Sequence, residues 1–131
     1  MLAKITVADY MTKRLVTLTK DTDVIDAVKK LMNHKITCAP VIDERERLVG
    51  MFSEIDGMNV FLQTVYNQGV SGKVGDYMTL NPVTVTAETS IIDLAKKFQE
   101  SSVRSFPVFE DTEMVGIISR TDLLRALAQI H

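Results

Sequence analysis

The sequence predicts an α/β chain of the α+β kind, made of two tandem repeats, each a small sheet with two helices packed on it. Three observations carry this prediction. Segments of the first half return at a fixed offset in the second. Each half alternates short β-branched runs with apolar residues at helical spacing. The composition, 46% hydrophobic and 24% charged over 131 residues, is that of a globular chain able to bury a core without disulfides.

The duplication is read directly. Val7-Ala8-Asp9-Tyr10-Met11-Thr12 returns as Val74-Gly75-Asp76-Tyr77-Met78-Thr79, and Val16-Thr17-Leu18-Thr19 as Val83-Thr84-Val85-Thr86, both 67 positions later. The same offset carries Asp26 to Asp93 and Pro40-Val41 to Pro107-Val108. After one dropped residue, Val49-Gly50, Ser53 and Asp56 match Val115-Gly116, Ser119 and Asp122. The repeats are therefore placed at 1–66 and 74–131, with 67–73, which holds Gly69 and Gly72, as linker. A repeat of this size is marginal alone, so the two are expected to bury apolar surface against each other and fold as one.

Each repeat opens on a β-rich stretch, Leu15 to Leu18 or Val83 to Val85. A helix follows, with Val24, Ala27, Val28 and Leu31 after a cap at Asp23, or Ile91, Leu94, Ala95 and Phe98 after Ser90. Next comes a hairpin of Cys38 to Ile42 and Leu48 to Phe52, with counterparts Ser105 to Phe109 and Met114 to Ile118. A second helix starts near Ser53 or Ser119, with Ile55, Met58, Leu62 and Val65, or Leu123, Leu124 and Leu127, sharing a face. In the first repeat Met58, Phe61, Leu62, Val65 and Tyr66 form a wider apolar set than one small sheet needs, which predicts a homodimer.

Several function classes are excluded by what is missing. A net charge of −2 lacks the basic excess of a nucleic-acid binder. No apolar run nears the roughly 18 residues of a membrane span, and residues 1–10 lack a signal-peptide layout, so no membrane and a cytoplasmic location are expected. One cysteine, Cys38, and two histidines, His34 and His131, cannot make a structural zinc site. Cys38 lies in an apolar strand, where a thiol serves packing. Asp43-Glu44-Arg45-Glu46-Arg47 alternates charge in a hairpin turn and reads as a solvated loop. Gly72-Lys73 is followed by Val74, not the Ser or Thr of a phosphate loop. No nucleophile with its base appears, so neither an enzyme nor a required cofactor is expected.

The chemistry concentrates in Ser53-Glu54-Ile55-Asp56 and Ser119-Arg120-Thr121-Asp122, each where a strand ends and a helix begins. Unpaired amides and the helix dipole there favour an anion, and a serine hydroxyl adds a donor. A carboxylate in the first turn can accept both hydrogen bonds of a ribose diol. The same residues also suit plain helix capping, with Ser as cap and Asp offsetting the dipole.

With Ile36-Thr37-Cys38-Ala39-Pro40-Val41 and Val103-Arg104-Ser105-Phe106-Pro107-Val108 leading into those junctions through Gly50 and Gly116, the chain resembles a tandem pair of CBS domains, a Bateman module of the stand-alone bacterial type. The resemblance covers nearly the whole chain. It implies repeats related by a pseudo-twofold axis, clefts shared between the halves that bind AMP, ADP or ATP, dimerisation, and a regulatory role toward an effector protein. Another adenosyl ligand, S-adenosylmethionine or NAD, and a structural dimerisation module with empty clefts are the alternatives.

Carried over residue by residue, the resemblance implies a first cleft with its base cradle at Arg14, Val16, Ile36 and Thr37 and its ribose and phosphate contacts at Arg104, Ser119, Thr121 and Asp122. The second cleft would use Asn81, Val83, Val103 and Ser105 for the base, with Thr37, Ser53 and Asp56 for ribose and phosphate. Ile36 and Val103, each taken alone, also suit the core. Thr37 stands where the other copy has Arg104, so the first cleft is expected to bind phosphorylated adenosine more tightly.

Overall fold

The computed structural model describes residues 4–67, 69 and 72–130. His131 and residues 68, 70 and 71 of the expected linker lie outside the described residues. The elements in order are α1 (Val7–Tyr10), α2 (Val24–Asn33), β1 (Cys38–Ile42), β2 (Leu48–Ser53), α3 (Glu54–Asn67), α4 (Val74–Tyr77), β3 (Thr79–Leu80), β4 (Val85–Thr86), α5 (Ile91–Gln99), β5 (Ser105–Glu110), β6 (Glu113–Ser119) and α6 (Arg120–Ile130).

The chain forms two compact units, Val16–Pro82, and Met1–Leu15 together with Val83–His131. These units differ from the sequence repeats. The opening segment of each repeat, with its short helix α1 or α4, packs into the unit formed by the rest of the other repeat.

In Val16–Pro82 the sheet has the order β1-β2-β3, all antiparallel, with Cys38 opposite Ser53 and Gly50 opposite Leu80. Leu18, Ala27, Leu31, Ala39, Val41, Phe52 and Val74 form its core. In the other unit the order is β4-β5-β6, with β4 parallel to β5 and Ser105 opposite Ser119 across the antiparallel β5–β6 pair. Its core includes Val7, Leu94, Phe98, Phe106, Val108 and Ile118, with the Phe98 and Phe106 rings 4.7 Å apart.

Local chemistry explains why these elements form where they do. Asp23 Oδ1 accepts the Ile25 N–H at 2.9 Å and Ser90 Oγ accepts the Asp93 N–H at 3.1 Å, so both expected caps start their helices. Behind them, Val24, Ala27 and Leu31, and Ile91, Leu94 and Phe98, turn the expected stripes into the two cores. Asp43 closes the first hairpin turn by accepting the N–H groups of Arg45 and Arg47 and the Arg47 Nε. The Arg47 amide, followed by the Arg45 amide and the Arg47 side chain, holds the Asp43 carboxyl below its usual range despite some desolvation.

Two expectations are corrected. The β-rich stretch Leu15 to Leu18 contracts to an isolated bridge from Leu18 to Val41, and the one at Val83 to Val85 becomes a strand over Val85–Thr86 that leaves Val83 exposed. The residues that stay extended are those that meet the edge of β1 or β5. The shared apolar face of α3 is exposed at Ile55, Met58, Leu62 and Val65, as is that of α6 at Leu124 and Leu127. The first turn decides this, because a buried Asp56 puts Val60, one turn later, on the inner face. In α6 the buried pair is Asp122 and Ala126, and Leu123 packs at the margin of the core.

Gly50 and Gly116 permit a close crossing in each unit. A Cβ on Gly116 would lie 2.9 Å from the Thr12 carbonyl oxygen and the Met11 sulfur, and one on Gly50 would lie 2.8 Å from the Thr79 carbonyl oxygen. Gly116→Ala is therefore expected to destabilise the fold by about 1–3 kcal/mol. A thermal melt checks it; an unchanged midpoint would show that the crossing has slack.

Candidate ligand-binding site

In both units the antiparallel pair runs straight from its last strand into a helix, and Ser-x-x-Asp sits at the junction. At the first, Asp56 Oδ2 accepts the Ser53 N–H at 2.8 Å and the Ser53 hydroxyl at 3.1 Å, while Ser53 Oγ accepts the Asp56 N–H at 3.4 Å. At the second, Asp122 Oδ2 accepts the Ser119 N–H at 2.9 Å and Ser119 Oγ accepts the Asp122 N–H at 3.1 Å. Both are reciprocal caps, which fixes each carboxylate in one orientation. The cap uses both lone pairs of Asp56 Oδ2 but leaves Oδ1, and at Asp122 it uses one lone pair of Oδ2, so capping leaves acceptor capacity for a diol.

The residue before each first hairpin strand is tied to the same junction. The Glu54 N–H donates to the Thr37 carbonyl at 2.8 Å, and the Arg120 N–H donates to the Arg104 carbonyl at 3.0 Å. Strand register adds Cys38 opposite Ser53 and Ser105 opposite Ser119. The structure thus brings together Ile36, Thr37, Ser53 and Asp56 in one unit and Val103, Arg104, Ser105, Ser119, Thr121 and Asp122 in the other.

Of the set expected for the first cleft, Arg14, Arg104, Ser119, Thr121 and Asp122 belong to the unit with Val83–His131, while Val16, Ile36 and Thr37 belong to Val16–Pro82. Of the second set, Val83, Val103 and Ser105 fall in the former, and Asn81, Thr37, Ser53 and Asp56 in the latter. Arg14 follows the bridge from Thr12 to Ile117, and Asn81 follows Leu80 of β3 with a positive φ of 51°. Arg14, Thr37, Asn81, Val83, Arg104 and Thr121 are exposed, and Ser105 is buried. Ile36 packs against the core of its unit, while Val103 is 39% exposed, so the core reading suits only the first of these.

The two aspartates differ in their surroundings. Burial pushes the Asp56 carboxyl above its usual value of 3.8, against the pull of the hydrogen bonds from the Ser53 N–H and hydroxyl. Asp122 instead pairs with Arg125, whose Nη2 lies 3.1 Å from Oδ1 and also donates to the Tyr10 carbonyl at 3.0 Å. The aligned residue in the first repeat is Asn59. Arg125 was readable from sequence as an i, i+3 partner of Asp122 and is the cation that the motif reading passed over.

The raised Asp56 value has a stability consequence with a definite sign. The folded chain holds this proton more tightly than the unfolded chain, so the contribution is full below pH 3.8 and is lost as pH rises through the higher folded value. Urea midpoints are therefore expected to shift in favour of wild type over Asp56→Asn as pH falls through that window. A shift the other way would contradict the assignment.

A groove of about 540 Å³ also opens beside the first hairpin turn, lined by Lys20, Ile42, Asp43, Arg45, Val49 and Met78 among others. None of the expected site residues lines it. Among the described residues, no group of three or more His, Cys, Asp or Glu could hold a metal, and no helix is long and apolar enough to cross a membrane.

Comparison with known proteins matches this architecture. The CBS domain family pattern covers residues 7–62 and 74–129. The chloroplastic CBS domain-containing protein CBSX2 of Arabidopsis thaliana is 32% identical over 153 residues, spanning 95% of this chain and 64% of its own length. The mitochondrial CBSX3 of the same plant is 33% identical over 120 residues, spanning 86% and 56%. The chain thus covers less than two thirds of these relatives. A crystal structure of CBSX2 in complex with AMP shares 36% identity and a TM-score of 0.84, over 96% of this chain and 98% of that one. The CBS domain pair of protein MJ0100, solved in complex with 5-methylthioadenosine and S-adenosyl-L-methionine, shares 25% identity and a TM-score of 0.85 over the same shares. Two matches in register with the two strand-to-helix junctions leave one conclusion: the chain belongs to the CBS domain family and carries two CBS domains in tandem.

Proposed function

We propose that the chain is a regulatory module that senses adenosine nucleotides, AMP, ADP or ATP, and signals to an effector protein, with no catalytic role of its own. The carrying observation is the duplicated junction in which a reciprocally capped Ser-x-x-Asp fixes a carboxylate, with Arg104 beside it in one unit and Thr37 in the other. A carboxylate so oriented suits a ribose diol, and the serine hydroxyl and helix start suit a phosphate. The AMP complex of CBSX2 supports the same ligand class.

In this reading Arg104, Ser119, Thr121 and Asp122 at one junction, and Thr37, Ser53 and Asp56 at the other, serve ribose and phosphate. Arg14, Val16, Ile36 and Thr37, and Asn81, Val83, Val103 and Ser105, serve the bases. The exposed α3 residues Met58, Phe61, Leu62, Val65 and Tyr66 support a homodimer. A lone buried thiol at Cys38 supports a reducing compartment such as the cytoplasm.

The MJ0100 complex favours a second reading, a sulfur-linked adenosyl ligand such as the sulfonium S-adenosylmethionine, which shares the base and ribose and lacks phosphate. A thermal-shift panel separates the two. Ligand at about a hundred times Kd is expected to stabilise the fold by roughly 2.7 kcal/mol. A rise with AMP, ADP or ATP supports the nucleotide sensor, and a rise with S-adenosylmethionine alone supports the sulfur-linked ligand. No rise with any of them leaves a structural module.

A further inference from the structure

Arg120 has no role in the capping motif that contains it, yet it makes more side-chain contacts than any capping demands. Its Nε donates to the Val103 carbonyl at 3.0 Å and its Nη2 to the Ser101 carbonyl at 3.1 Å. Its guanidinium carbon lies 5.8 Å from the centre of the Phe98 ring. The Val103 N–H donates in turn to Ser101 Oγ at 3.1 Å. Both backbone groups of Val103 are thus engaged inside their own unit, although the residue is 39% exposed.

An adenine edge is read by one acceptor for its exocyclic amine and one donor for a ring nitrogen. At Val103, the acceptor already faces a cationic donor and the donor already has an oxygen. An incoming amine would have to approach a carbonyl beside a guanidinium, donor against donor, or displace a charge-assisted pair. In the first repeat the Ile36 N–H is likewise engaged, donating to the Leu31 carbonyl at 3.0 Å, so the two repeats differ at the carbonyl acceptor. Glu54 stands where Arg120 stands, and a carboxylate can only accept, so it cannot bond the Ile36 carbonyl.

We propose that Arg120 is a latch that closes the Val103 carbonyl, so that of the two adenosine sites only the one read through Ile36 keeps its base acceptor open in the wild-type chain. The inference rests on the adenosine-ligand reading above and assigns it a specificity residue. The fork geometry matters, because a lysine in its place reaches only one carbonyl at a time.

Calorimetric titration of AMP into the full chain and into Arg120→Met tests the latch. Met keeps much of the apolar stem and loses every donor. Wild type is expected to show a single tight site, and Arg120→Met a second site tightened by roughly tenfold or more, with Arg120→Lys between them. A stoichiometry and affinity unchanged in Arg120→Met would overturn the latch while leaving nucleotide sensing intact. No AMP binding by either protein would overturn the sensor reading and the latch with it. Amide exchange at Val103 gives a readout without nucleotide: it is expected to accelerate in both variants, and an unchanged rate would also overturn the latch.

Discussion

Asp122→Asn is expected to weaken AMP binding by about tenfold or more, while Asp56→Asn leaves the tighter site as it was. The asparagine oxygen can still accept the Ser119 N–H, so the cap and the fold survive. What is lost is the second acceptor, Oδ1, with its pairing to Arg125, replaced by an amide that donates toward the ribose, at a cost typical of a hydrogen bond to a charged group. Arg125 strengthens the case for Asp122, because at 3.1 Å it offsets the repulsion between this carboxylate and a phosphate. Asp56 has Asn59 at the matching position, and its carboxyl is pushed toward the neutral form by burial. Titration of AMP into both variants, with thermal midpoints as a control on folding, decides the matter. Equal losses, or none, would contradict the asymmetry.

The second large effect concerns assembly. Phe61, Val65 and Tyr66 are 68%, 63% and 79% exposed on α3, beside Met58 and Leu62. A contiguous apolar face of this kind is costly in water and is satisfied on both chains by an isologous contact. Light scattering of the wild type at micromolar concentration is expected to report twice the chain mass. Phe61→Glu with Val65→Glu places unpaired charges into that contact and is expected to give the monomer mass with the fold unchanged. A monomeric wild type would remove the interface.

How far the sequence could be read depended on whether local chemistry or the placement of distant segments decided the outcome. Caps at Asp23 and Ser90, the helical stripes behind them and the hairpin from Cys38 are local, and they formed as the residues implied. The exchange of opening segments was not legible, because nothing in Val7 states which core it will enter; in the structure it lies with Phe106 and Ile118, and Val74 with Phe52. Which way the apolar face of α3 points was not legible for a related reason. Apolar periodicity finds a face but not what covers it, and here the buried cap at Asp56 turned Val60 inward and Met58 outward. At the site, the Ser-x-x-Asp pattern marked both junctions. Arg125 and Arg120 act through pairings to Asp122 and to carbonyls 17 and 19 positions away, and only the first has a spacing that sequence can show.

The central claim, that these duplicated junctions bind adenosine ligands, is tested most directly by native mass spectrometry of the intact chain titrated with AMP. The account predicts a saturable mass increment of one AMP per chain at low ligand, reduced in Asp122→Asn. No adduct at any concentration with AMP, ADP, ATP or S-adenosylmethionine would contradict it.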